Sequence, residues 1–356
     1  MIYRIVIAFS LLLSAFTTYG QNAPKYSNEF LSIGVGARGL AMSASQTAHV
    51  SDVTAGYWNP AGLLDITDQY QFSLMHAEYF AGIAKYDYAA FATSVDSMSR
   101  IGISIIRFAI DDIPDTRFLY DANGAINYDN IRFFSAADYA FLLSYARRSN
   151  VLKGLKLGAN FKVVHRKAGN FANAWGFGLD AGAQLERKNW KFGLMLRDVT
   201  GTFNAWTHNT ELVIDIYTQT GNEIPENSVE VTLPRAILGV GKYMAIKEKF
   251  GVLASLDLIT TFDGKRNTVI KSDVASIEPA LGIELDYKQL VFLRMGAGNI
   301  QELKNFDGSR YKTFQSNFGL GLKIRNVTID YALTDIGDQS ESLYSHVFSI
   351  KAGLNK

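Results

Sequence analysis

Few residues in this chain are arranged to do chemistry. The five histidines, His49, His76, His165, His208 and His346, have no metal-ligand spacing, and the chain has no cysteine to supply a thiolate. Asp111, Asp112, Asp115, Asp121 and Asn123 gather the oxygen ligands that calcium prefers. They lack the spacing of a calcium-binding loop and read as a solvated loop face. No nucleophile elbow, phosphate loop or dinucleotide fingerprint occurs. The sequence predicts neither an enzyme nor a cofactor. What stands out are two aromatic-rich stretches and one turn. Phe118, Tyr120, Phe133 and Phe134 lie between Arg117 and Phe134, and Phe203 and Trp206 lie within 199–233. Long loops with exposed aromatics suit protein docking, although such loops also pack on one another as a cap. The turn is Trp58-Asn59-Pro60-Ala61-Gly62. Pro60 fixes its own φ and biases Asn59 away from helix, and Asn59 can bond nearby backbone.

The elements that carry these residues follow from composition and periodicity. The chain has 356 residues, with 35 Lys and Arg against 34 Asp and Glu, so nothing points to nucleic acid as a partner. It holds 18 Tyr, 23 Phe and 30 Gly but 6 Pro, which favours strands over helices. Residues 1–20 read as a signal peptide: Arg4 precedes the apolar run Ile5 to Phe16, with cleavage expected after Gly20. From residue 69 to 356 apolar and polar residues alternate. Leu155, Leu157, Ala159, Phe161 and Val163 lie on one face, with Lys156, Asn160 and Lys162 on the other. The pattern predicts an all-β fold, a transmembrane antiparallel β-barrel of about 14 strands in the bacterial outer membrane. Strand starts are expected near Tyr70, Tyr86, Ile101, Ala137, Leu155, Trp175, Trp190, Pro234, Phe250, Glu278, Val291, Phe314, Val327 and His346. Long connections alternate with short ones, as extracellular loops alternate with periplasmic turns. Glycines crowd the lumen parity, among them Gly158, Gly182, Gly193, Gly282, Gly296 and Gly319. Two explanations fit: something fills the lumen, or glycine helps the strands curve. Residues 21–68 do not alternate, and suit an N-terminal hatch or plug inside the barrel.

One stretch carries a family resemblance. Phe30-Leu31-Ser32-Ile33-Gly34-Val35-Gly36-Ala37-Arg38-Gly39-Leu40-Ala41-Met42, followed by Tyr57-Trp58-Asn59-Pro60-Ala61-Gly62-Leu63, resembles the N-terminal signature of the PorV/PorQ family. The Asn59-Pro60-Ala61 triplet is similar to the hatch motif of the wider FadL-like barrels. Phe318 to Lys323, Ile329 to Leu333 and His346 to Ile350 are similar to the family's closing strands. Ser43, the stretch His49 to Asp52 and the ending Gly353-Leu354-Asn355-Lys356 depart from the family pattern and suggest a paralogue. The resemblance implies an outer-membrane component of the type IX secretion system that binds or shuttles cargo at the translocon or surface attachment complex. Its partners would be that translocon or a cargo protein, besides membrane lipid. The alternative it carries is a FadL-type transporter with a hydrophobic ligand in the lumen. A barrel with a purely structural role in the envelope is the third reading.

Overall fold

A computed structural model describes residues 27–121, 123–334 and 345–355. The leader expected at 1–20 lies outside them. The strand segments are β1 (Tyr70–Tyr79), β2 (Ala84–Ser94), β3 (Ser99–Asp115), β4 (Arg132–Arg148), β5 (Leu155–Ala168), β6 (Ala172–Arg187), β7 (Trp190–Arg197), β8 (Thr202–His208), β9 (Ser228–Thr232), β10 (Arg235–Ile246), β11 (Phe250–Thr261), β12 (Ile270–Lys271), β13 (Ser276–Tyr287), β14 (Val291–Lys304), β15 (Arg310–Ile324), β16 (Val327–Thr334) and β17 (Ser345–Leu354). All pairings are antiparallel, and β17 pairs with β1 from Tyr70↔Leu354 to Glu78↔His346, which closes the sheet into a barrel.

The wall has 14 strand positions because two of them are broken. β6 pairs with β7 at its inner end and with β8 at its outer end. The interruption at 198–201 contains Asp198 at φ 55 and Gly201 at φ 69. β9 and β10 are separated by Leu233-Pro234, where proline has no N–H to give to the ladder. β12 is a two-residue addition to β13. Tyr70, Leu155, Trp190, Phe250, Val291 and Val327 open strands as alternation predicts. The outer ends differ. β4 begins at Arg132 rather than near Ala137, and a β8–β9 hairpin occupies part of the stretch expected to be loop. Those ends rise beyond the hydrocarbon, where no lipid face enforces alternation.

Exposure separates the two faces. On β5, Leu157 and Phe161 point outward while Lys156, Asn160 and Lys162 are buried. On β13, Leu281, Ile283, Leu285 and Tyr287 are all outward and exposed. A closed barrel with an apolar exterior satisfies its backbone without water, and this is an outer-membrane architecture. The protein is therefore located in the bacterial outer membrane. The longer connections, 116–131, 209–227 and 262–275, share one end, and the short turns 188–189, 247–249 and 325–326 share the other.

A charge at the midplane of the lipid face costs about 2–4 kcal/mol. Leu281→Arg should therefore lower the urea midpoint of the barrel folded in liposomes, read by heat-modifiable gel mobility. Gln315→Arg, on an inward position of β15, should leave that midpoint nearly unchanged.

Candidate functional site

The two halves of the N-terminal motif, separated in sequence, pack on each other. Trp58 Nε1 donates to the carbonyl of Val35 at 3.0 Å. A Cβ on Gly34 or on Gly39 would come within 2.8 Å of the Trp58 indole, so both positions must lack a side chain. Tyr57 meets Trp58 edge-to-face at 4.8 Å and donates its hydroxyl to Leu31 O at 2.6 Å. Asn59 is fully buried, at 0% exposure. Its backbone is extended, as the residue before a proline should be. Its Oδ1 accepts from Ala61 N, and its Nδ2 donates to Thr47 O at 2.9 Å and to Ala183 O on β6 at 3.0 Å. Pro60 opens the short 3-10 turn Pro60–Asp65.

This segment touches the inner face of the wall around its circumference. Gly36 N donates to Met75 on β1, Ala37 N to Ser349 on β17, and Thr47 N to Asp257 on β11. Asn160 on β5 donates to Gly56 O at 2.9 Å. The lumen glycines explain how close the approach is. A Cβ at Gly158 would lie 2.4 Å from Ala61 N, at Gly182 2.2 Å from Asn59 Oδ1, and at Gly193 2.3 Å from Thr47 O. At Gly282, Gly296 and Gly319 it would lie within 2.5 Å of Ser45, of Met42 and Ser43, or of Ala41. At these positions glycine makes room for the segment. Gly176, Gly178 and Gly321 instead face wall side chains, namely Asn204, Thr202 and Asp330.

Charge pairs fix the segment further, and the sequence reading missed them. Arg38 makes a bidentate bond to Glu284 on β13 at 2.8 and 2.9 Å. Arg294 on β14 bridges the same Glu284 at 2.6 Å to Asp330 at 2.7 Å. Lys351 reaches Asp52 at 2.6 Å, and Lys156 pairs with Asp65. Burial disfavours the Asp52 carboxylate, but Lys351 and Arg38 outweigh it and hold its pKa below the usual range. Burial, with Arg38 adding repulsion, depresses His49 to about 3. His49 Nε2 lies 2.8 Å from Ser45 O and donates to it, and its Nδ1 has no partner, as suits a neutral ring. The useful sequence signal was charge on the lumen parity of the strands. Lys162 has it too, and meets Asp180 at 3.0 Å and Asp198 at 2.6 Å.

Above the segment, at the long-loop end, lies a cavity of about 410 Å³. Ile33, Leu40, Trp58, Ile237 and Ile259 line one part of it, and Thr261, Ser276, Gln315, Asn317 and Thr334 another. Glu29 beside it binds Arg235 at 2.6 Å and Arg266 at 3.0 Å. The Arg197 guanidinium lies over the Tyr57 ring at 4.3 Å. Two chambers of about 20 and 10 Å³, beside Lys162 and beside Arg38, hold a water at most.

The aromatic residues expected in docking loops divide. Phe118 and Tyr120 stand in the loop 116–131, both exposed. Phe133 and Phe134 belong to β4, and Phe203 and Trp206 to β8. Phe133 is exposed, whereas Phe134 packs edge-on against Phe171. Phe203 is on the outward parity of β8, and Trp206 donates to Glu230 at 3.0 Å beneath Arg166. The histidines are not brought together, and among the described residues no three His, Asp or Glu side chains gather as a metal site.

No protein-family model and no curated protein sequence matches the chain. Solved barrels do. The chain is similar to the toluene transporter TbuX of Ralstonia pickettii, at 15% identity and a TM-score of 0.52, covering 90% of this chain and 99% of that one. It is similar to the monoaromatic hydrocarbon channel CymD, at 12% identity and a TM-score of 0.56, covering 91% and 98%. It is similar to the P. putida toluene transporter TodX, at 12% identity and a TM-score of 0.53, covering 91% and 99%. These likenesses are of fold, and the neighbours are transport channels.

Two outcomes follow from the packing. Ser43→Cys with Gly298→Cys should form a disulfide, since a Cβ at Gly298 would lie 3.4 Å from that of Ser43, close to the separation a disulfide needs, and no native thiol competes. Ala41→Cys with Gly178→Cys should not, because Gly178 faces Thr202; the readout is non-reducing gel mobility. The second concerns pH. The folded-state pKa of His49 is below its ordinary 6.5. Its stabilising contribution is complete above about pH 6.5 and is lost as the pH falls toward 3, where the unfolded chain binds the proton first. Between pH 7 and 4.5 the urea midpoint of the wild type should fall more steeply than that of His49→Gln.

Proposed function

We propose that this protein is a FadL-type transporter that takes up small hydrophobic molecules at its outer mouth. The cavity of about 410 Å³ carries the reading. It has the size of a small-molecule site, faces outward and has an aliphatic and aromatic floor supplied by the N-terminal segment. In this reading the segment acts as a hatch, and Trp58, Asn59, Pro60, Ala61 and Gly62 form its rigid knot. The resemblance of fold to toluene and monoaromatic channels supports it.

A second reading is favoured by the residues 30–63: a barrel of the type IX secretion system, holding translocon or cargo protein through its outer surface. Phe118, Tyr120 and Phe133 are the exposed anchors available to it. Phe134 and Trp206 are engaged within the protein and suit a structural role.

The protein extracted in mild detergent from its own membrane separates the two. A transporter is expected to bring a solvent-extractable hydrophobic compound, and deletion of its gene should slow uptake of an aromatic hydrocarbon while secretion continues. Recovery of type IX components that is lost in a Tyr120→Ala/Phe133→Ala variant, with uptake unchanged in the deletion, would reverse the proposal.

A further inference from the structure

We infer that the outward face of β1, β2 and β3 is a surface for outer-leaflet headgroups and their water, which it draws down so that the bilayer is locally thin on this side of the barrel. The inference concerns the lipid-facing wall and stands whatever the lumen carries.

The apolar band differs in height around the wall. On β13 the outward positions Ile277, Pro279, Leu281, Ile283, Leu285 and Tyr287 carry no charge. On β6 the same holds from Trp175 to Leu185. On β1 only Tyr70, Phe72 and Leu74 precede His76 and Glu78. On β3 Ile101, Ile103 and Ile105 precede Arg107. On β2, read from the same end of the barrel, Phe91 and Ala89 precede Asp87 and Lys85. At about 3.4 Å per residue and a tilt of roughly 40°, the climb from Tyr287 to Ile277 is about 26 Å. The climb from Tyr70 to His76, where the charged row begins, is about 16 Å on the same scale. The tall side matches the roughly 25 Å band of outer-membrane barrels, and the short side falls well below it.

Tilting the barrel does not remove the difference. A tilt raises one side and lowers the other, but leaves the height of the band on each side unchanged. Nor is the row covered by neighbouring side chains, since those of His76 and Glu78 are 54% and 58% exposed. The groups answer one another instead. His76 and Arg107 lie 2.7 and 2.9 Å from Asp87, and Lys85 lies 2.9 Å from Asp111. Ionised groups on a barrel exterior are costly at the midplane and cheap near the interface, whereas thinning costs a bilayer little per ångström. The bilayer therefore yields to the row. Opposite charges alternate within it, so it presents no strong field of one sign that would select a charged protein face. Headgroups and water are sufficient to solvate it.

The test uses the full-length protein in vesicles of dioleoylphosphatidylcholine. The chain has no cysteine, so a nitroxide attaches only where a cysteine is introduced. Leu74→Cys and Ile283→Cys are matched sites, both outward and each four residues from the inner end of its strand, at Tyr70 and Tyr287. Depth is read by power saturation with oxygen and a water-soluble nickel chelate. The label at 74 is expected to lie about 5 Å shallower than the label at 283. His76→Leu/Asp87→Leu/Arg107→Leu should deepen the label at 74 and leave the one at 283 in place, with heat-modifiable mobility confirming that the variant folds. Should that variant fail to fold, the comparison of the two labels with the row intact still decides. Equal depth of the two labels would overturn the inference. If the label at 74 were in addition shielded from both reagents in native membranes, a protein partner would be what covers the row.

Discussion

In hydrocarbon an unpaired backbone N–H or C=O costs several kcal/mol, and every other feature of this molecule follows from that constraint. It forces the sheet to close through β17 on β1. Closure with 14 strand positions encloses more space than wall side chains can fill, since about eight strands already give a filled interior. Residues 27–66 occupy that space. Their presence is what makes glycine necessary at 158, 182, 193, 282, 296 and 319, because any side chain there would collide with the segment. The same burial creates a need for charge compensation. Arg38 and Asp52 both find their partners on the wall, at Glu284 and Lys351.

How much of this was legible in the sequence depended on which solvent each residue meets. Alternation on β5, β13 and β15 was readable because lipid outside and packing inside discriminate strictly between apolar and polar side chains. Beyond the membrane both faces meet water or protein, so the pattern lapses, and the outer ends of β4, β8 and β9 were hidden. The motif at 30–63 was visible as two pieces, but not the Trp58 indole that joins them by pressing on Gly34 and Gly39. The lumen glycines left two explanations open until the positions of Ala61, Asn59 and Thr47 decided between them. The ion pairs lay beyond reach: Arg38 and Glu284 are 246 residues apart, and only three-dimensional register brings them together.

The exterior is not uniform around the barrel. On β13 apolar residues run through Leu281, Ile283, Leu285 and Tyr287. On β1 they stop after Phe72 and Leu74, and His76 and Glu78 follow. His76 is bonded to Asp87 on β2 at 2.7 Å, and Asp87 to Arg107 on β3 at 2.9 Å, all three on the outward face. Ionised groups on a barrel exterior cost little near the membrane interface and much more at the midplane. The row therefore marks the edge of the hydrocarbon on this side. The β1–β2 hairpin ends soon afterward, at 80–83, while β3 and β4 continue outward to Asp115 and Arg132. The wall is low at the β1–β2 hairpin, beside this outward row of charged groups.

The N-terminal segment is bonded to the wall along its length, and the kinds of bond decide which part of it can move. Arg294, 2% exposed in its side chain, joins Glu284 to Asp330 in the same network that holds Arg38. Removing one partner from a buried network of this kind costs roughly 3–5 kcal/mol. Expelling the whole segment would break that network, the Lys351–Asp52 pair and the Asn59 bonds together, which places it far above thermal reach. The outer end at 29–32 is tied by Glu29, whose side chain is 33% exposed, to Arg235 and Arg266, and is also held by Tyr57 and Arg197 on the Leu31 carbonyl, by Arg235 on Ser32 and by the burial of Phe30. A part-exposed pair contributes on the order of 1 kcal/mol or less. The base of the segment is therefore fixed by buried charge, and its outer end by weaker pairs together with hydrogen bonds to neutral groups. Exchange of the part-exposed Glu29 pairs, with Trp58, Asn59 and the bonds to the Leu31 carbonyl remaining in place, is the smallest motion that this distribution of interactions permits.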